Sequence, residues 1–180
     1  MRNIELAYLF TACAMIWIMV RSTRGEKFPT FSHISTGTKV ARQAFSGGLF
    51  IAGLLFALLM YKWFIPHFSL GNGFRILAAV IAFSHILTGF SPVEAKHLGR
   101  LHILFGSVLA VAMFVLLLAF TFTTTVPNSV RTVNGTIAAS MIIFALSTLW
   151  ARKDPKQLLL HEYIFFGLWH AAIFITAYIA

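Results

Sequence analysis

Residues 98–122 read LGRLHILFGSVLAVAMFVLLLAFTF, and no Asp, Glu, Lys or Arg occurs between Arg100 and Arg131. A helix rises about 1.5 Å per residue, and about 20 mainly apolar residues cross the hydrocarbon of a bilayer. This run has the length and composition of one crossing. It lacks the strict alternation that a membrane β-strand would show.

Five further runs of the same kind lie on either side of it, at roughly 4–20, 43–65, 74–91, 132–150 and 158–179. Pro66, Pro92, Pro127 and Pro155 fall between the runs, where proline ends a helix at little cost. Asn72-Gly73, Ser91-Pro92 and Pro127-Asn128-Ser129 are turn signals of the same type. The expected fold class is all-α: one domain over residues 1–180, a polytopic membrane bundle of six transmembrane helices joined by short loops. The first run ends in Val20-Arg21-Ser22-Thr23-Arg24 with no small-x-small cleavage pattern, which predicts a retained first helix.

Composition points the same way. Of the 180 residues, 59% are hydrophobic and 11% charged, with 15% aromatic. The mean hydropathy is +0.84. A soluble domain carries about 25% charge and roughly 45–50% apolar residues, and a chain this short hides only about two-thirds of its surface. A soluble fold and a disordered chain are thereby excluded. The isoelectric point near 10.3 raises nucleic acid as a partner. The basic residues sit in short tracts between apolar runs, however, which is an orientation signal rather than a binding face. The single cysteine, Cys13, excludes an internal disulfide, a CxxC pair and an all-cysteine zinc site.

Six crossings place the first, third and fifth connections on one side. Ten of the fourteen Lys and Arg residues lie there: Arg21, Arg24, Lys27, Lys39 and Arg42, then Lys96 and Arg100, then Arg152, Lys153 and Lys156. The positive-inside rule puts that side in the cytoplasm and both termini outside, in a membrane expected to be a prokaryotic plasma membrane. The first connection, residues 21–42, is the longest. Its five cations flank a polar and aromatic centre, Phe28 to Thr38. Either it is a plain loop whose charges fix topology, or it lies in the interface with Arg21, Arg24, Lys27, Lys39 and Arg42 available to lipid headgroups.

Ionisable groups within spans need a reason, because burying their charge is costly. His85 falls in the third span, His102 near the start of the fourth, and His161 and Glu162 at the start of the sixth, with His170 deeper. His97 lies in the third connection. His85, His102, His161 and Glu162 share one leaflet, and the hairpin of spans three and four could bring His85 opposite His102. Imidazoles from several helices can ligate a transition metal, with a carboxylate to complete the set, which makes His85, His97, His102, His161 and Glu162 the candidate ligands. His85 with His102 or His161 could instead hold a b-type haem. Such a centre would serve electron transfer, or lipid hydrolysis by a metal-bound water. The alternative is that shallow histidines sit at headgroup level as neutral amphipathic rings. No HExxH motif occurs.

Small residues recur at spacing four, as in Gly48-Ala52, Gly53-Ala57, Gly135-Ala139 and Gly167-Ala171, and predict close helix approach.

Ile34-Ser35-Thr36-Gly37 after the first span, Gly89-Phe90-Ser91-Pro92 at the exit of the third, and His97 and His102 leading into the fourth together resemble the six-helix prokaryotic membrane family catalogued as domain of unknown function 998. The chain looks more distantly like the six-helix eukaryotic family of autophagy modulators and lipid-anchor remodelling factors. The resemblance covers most of the chain. His33 stands where the family has a proline before Ile-Ser, and one residue is inserted in the Gly-Phe-Pro-like exit. The resemblance implies a six-helix fold resident in the bilayer, and lipid handling. The leading expectation is a protein that binds lipid or a membrane-protein partner, alone or as a subunit of a larger assembly, because the loops are too small for a soluble active site. A transporter ranks behind both this and the cofactor reading, since the second, fourth and fifth spans carry no charge in their middles.

Overall fold

The computed structural model describes residues 2–23, 30–91, 98–151 and 155–179. Among them are seven helices and no strand: α1 (Arg2–Ser22), α2 (Phe31–Gly37), α3 (Lys39–His67), α4 (Asn72–Phe90), α5 (Leu98–Phe122), α6 (Asn128–Ala151) and α7 (Pro155–Ile179). All but α2 are long and apolar enough to cross a membrane. The chain is an all-α integral membrane protein.

The helices pack in chain order. Helix α1 lies on α3, α3 on α4, α4 on α5, α5 on α6 and α6 on α7, and α7 returns to α1, so the six spans close a ring. Its interior is filled by Phe56, Phe64, Met113, Leu116, Leu117, Phe120 and Trp169, all fully buried. Its outside presents Phe10, Trp17, Ile76, Phe83, Val111, Phe122 and Ile143. An apolar exterior around an apolar interior is stable only with lipid as the solvent.

The second span differs from its expected limits. It begins at Lys39, because Thr38 caps it by accepting the Ala41 N–H at 3.0 Å. It continues past Pro66, which was expected in the connection. Proline has no N–H to give the carbonyl four residues back, so the chain widens into a π turn at Met60–Phe64, where Ile65 N–H bonds to the Met60 carbonyl. One short α-turn, Ile65–His67, then completes the helix.

Three of the four expected close approaches are present. A Cβ on Gly48 would lie 2.6 Å from the Met15 side chain, one on Gly53 would lie 2.8 Å from the Ala82 carbonyl oxygen, and one on Gly135 would lie 3.1 Å from Thr121. Gly167 has open space around it. Its spacing reflects composition rather than packing.

Candidate functional site

The first connection is not a loose loop over its described residues. The Thr30 hydroxyl accepts the His33 N–H at 3.2 Å and starts α2. Buried Ile34 then anchors α2 in a small apolar cluster with Met19, Ala41 and Phe45. The Thr38 hydroxyl donates to Ser22 Oγ at 3.2 Å, fastening the end of α1 to the start of α3. Helix α2 is therefore held against one end of the bundle, at the depth where α1 ends and α3 begins.

The partner that meets it is His102, one turn into α5. Helix α4 ends at Phe90, and its last carbonyls lack helical donors. The Thr88 carbonyl would ordinarily receive the N–H of residue 92, but that residue is Pro92. His102 supplies the donor instead. Its Nδ1 lies 3.1 Å from the Thr88 oxygen and 2.8 Å from the Ser91 oxygen. A carbonyl only accepts, so Nδ1 carries the proton in the neutral ring and Nε2 holds the lone pair. Ser32 Oγ, on the first turn of α2, lies 2.7 Å from that Nε2 and donates to it. Ser32 is half-buried and His102 buried. Phe45 of α3 packs beside the imidazole, with ring centroids 6.1 Å apart, and Ser46 donates to the Gly89 carbonyl at 2.6 Å. The stretches that carry the family resemblance, Ile34–Gly37, Gly89–Ser91 and His102, thus converge at one end of the bundle. His97 lies outside the described residues.

The deeper histidines belong to a different group. His85 Nδ1 donates to the Ile81 carbonyl at 2.9 Å, and His170 Nδ1 to the Phe166 carbonyl at 2.7 Å, each on its own helix. Phe56 lies along His85 at 6.4 Å and Tyr8 along His170 at 5.0 Å. Trp169 Nε1–H donates to the Tyr8 hydroxyl at 2.9 Å. The space beside these imidazoles is thus occupied by rings that are themselves buried.

Among the described residues the expected gathering of His85, His102, His161 and Glu162 around one ion is not seen. Among the described residues no group of three or more His, Cys, Asp or Glu is placed to hold a metal. The physical reason is that sharing a leaflet fixes depth but not azimuth. His102 is turned toward the carbonyl left without a donor by Pro92, and both its ring nitrogens are engaged. His85 faces Phe56 inside the ring, and His161 packs against Phe144 of α6 with ring centroids 6.0 Å apart.

Of the basic residues expected at headgroups, Arg21, Lys39 and Arg42 are exposed at the α2 end of the bundle. Arg24 and Lys27 lie outside the described residues. Ser32 was not among the expected site residues, since seventy positions separate it from His102. The one signal in the sequence was Pro92, which deprives the Thr88 carbonyl of its donor.

No family model, curated protein or solved structure matches the chain.

Proposed function

We propose that this integral membrane protein binds phospholipid at the end of the bundle that carries α2. The observation that carries the reading is the clamped first connection. The Thr38–Ser22 hydrogen bond joins the end of α1 to the start of α3, and so brings exposed Arg21 near exposed Lys39, with Arg42 one turn further on. Cations at that depth attract anionic headgroups at about 1 kcal/mol each. The apolar exterior supplies a place for the acyl chains. Between α4 and α5 a furrow of about 430 Å³ is lined by Val80, Phe83, Leu87, Leu104 and Val108. The charge asymmetry of the connections supports placing this end in the cytoplasmic leaflet of a plasma membrane, with both termini outside. The family resemblance supports lipid handling.

The test is lipid retention. Protein extracted in mild detergent from vesicles of equal phosphatidylglycerol and phosphatidylcholine should carry the anionic lipid in excess, measured by mass spectrometry. The double variant Arg21→Gln, Lys39→Gln should lose that excess by about 10- to 30-fold. Equal retention of the two lipids by the unaltered protein overturns the reading, and co-purification of a stoichiometric membrane-protein subunit covering this end would replace it.

A further inference from the structure

We propose that Ser32 and His102 are a nucleophile and its general base, acting on the ester of an acylated membrane lipid. The geometry has the three parts that activate a hydroxyl: a nucleophile, a base within hydrogen-bond reach, and a third group that orients the base. Ser32 Oγ lies 2.7 Å from His102 Nε2. The Ser91 and Thr88 carbonyls, at 2.8 and 3.1 Å, hold the proton on Nδ1 and aim the Nε2 lone pair at the serine. A fastening between helices would need only one of these bonds. Here the tautomer is fixed from behind by two acceptors, and the hydroxyl in front is half-buried rather than sealed in the core. His102 is the fifth residue of α5, so the pair sits about 6 Å from the helix start, near the level where glycerolipid esters lie between headgroup and hydrocarbon.

The chemistry closes with water as the only other reactant. Ser32 Oγ attacks the ester carbonyl carbon as His102 Nε2 takes its proton. The tetrahedral adduct collapses, breaking the bond to the alcohol oxygen, which receives the proton from Nε2. The acyl group now rests on Ser32. Water attacks that acyl carbon and gives a proton to Nε2, and the proton returns to Ser32 Oγ as the carboxylic acid leaves. The imidazolium formed in passing keeps its Nδ1–H on the Ser91 carbonyl throughout.

The choice of a lipid ester rests on the lipid reading above; the pairing of serine and histidine does not. The experiment uses the full chain in phosphatidylglycerol nanodiscs, treated with an alkyl fluorophosphonate and then digested for mass spectrometry. The expected adduct is on Ser32 of the unaltered protein, which needs no variant to fold. Ser32→Ala should abolish the adduct, and Ser35→Ala should leave it. His102→Gln keeps a donor for the Ser91 carbonyl and an acceptor for Ser32 but removes the base. It should slow labelling by about 10²- to 10⁴-fold with an unchanged melting temperature. In the same nanodiscs, fatty acid should be released from the ester lipid, not from its ether analogue, and Ser32→Ala should stop the release. A monodisperse protein without adduct, an adduct elsewhere, or release that survives Ser32→Ala overturns the proposal. Lipid retained without adduct removes the proposal and leaves lipid binding intact. An adduct on Ser32 with no fatty acid released overturns the lipid ester as substrate.

Discussion

Trp169 Nε1–H donates to the Tyr8 hydroxyl at 2.9 Å, tying the last span to the first across 161 residues of sequence. Both side chains are buried, and Phe56 fills the angle between them, 6.1 Å from Tyr8 and 5.6 Å from Trp169. The contact closes the ring of helices on its inner side. Tyr8→Phe keeps the packing and leaves the indole N–H without its acceptor. It should lower stability by about 1 kcal/mol, within the usual range for a hydrogen bond between spans. Thermal unfolding in detergent should show the loss.

Two glycines of the spacing-four pairs, Gly53 and Gly167, should respond differently to alanine. Gly53→Ala would press a methyl group to 2.8 Å from the Ala82 backbone oxygen, and backbone cannot turn aside as a side chain can. The expected cost is about 1–3 kcal/mol. Gly167→Ala meets nothing within 4 Å and should be neutral or slightly stabilising. Denaturation curves for the pair check this. Equal effects would mean that α3 and α4 do not approach as described.

Asn134-Gly135-Thr136 is a glycosylation sequon by pattern. Asn134 is nonetheless fully buried within α6, where its amide donates to the Val130 carbonyl and to Thr176 Oγ1 of α7, both at 2.8 Å. Expressed through a eukaryotic secretory pathway, the protein should show no glycosidase-sensitive mobility shift at this site. Thr176→Val should cost about 1 kcal/mol by taking away the acceptor.

Orientation is open to direct labelling. In a Cys13→Ser background, Thr36→Cys at the α2 end and Thr125→Cys between α5 and α6 lie on opposite sides of the membrane. A membrane-impermeant maleimide added to intact cells should label position 125 and miss position 36. The reverse pattern would invert the protein without changing its helices, and labelling of both would contradict the six-span topology.

The spans were legible because hydrophobicity along a chain is a one-dimensional quantity that a bilayer reads directly. The limits expected for the fourth span, 98–122, coincide with α5. The second was expected to end at 65, and the error there has a local cause. By pattern Pro66 marks a stop, whereas a π turn absorbs its missing N–H and carries the helix on to His67. Position along a span follows from residue count times helical rise, with His102 one turn into α5 and His170 sixteen residues into α7.

Azimuth was not legible, and it decides what the polar residues do. A hairpin of the third and fourth spans allows His85 and His102 to face one another. One packs on Phe56 inside the ring, and the other reaches back to the end of α4 and forward to Ser32. Sequence by itself determined that this chain crosses a membrane six times as helices, because burial of apolar length in lipid depends only on composition and run length. Tertiary structure alone decided that a serine in the first connection meets a histidine seventy residues away, because that meeting depends on how each helix is rotated and on which carbonyl a proline leaves without a donor.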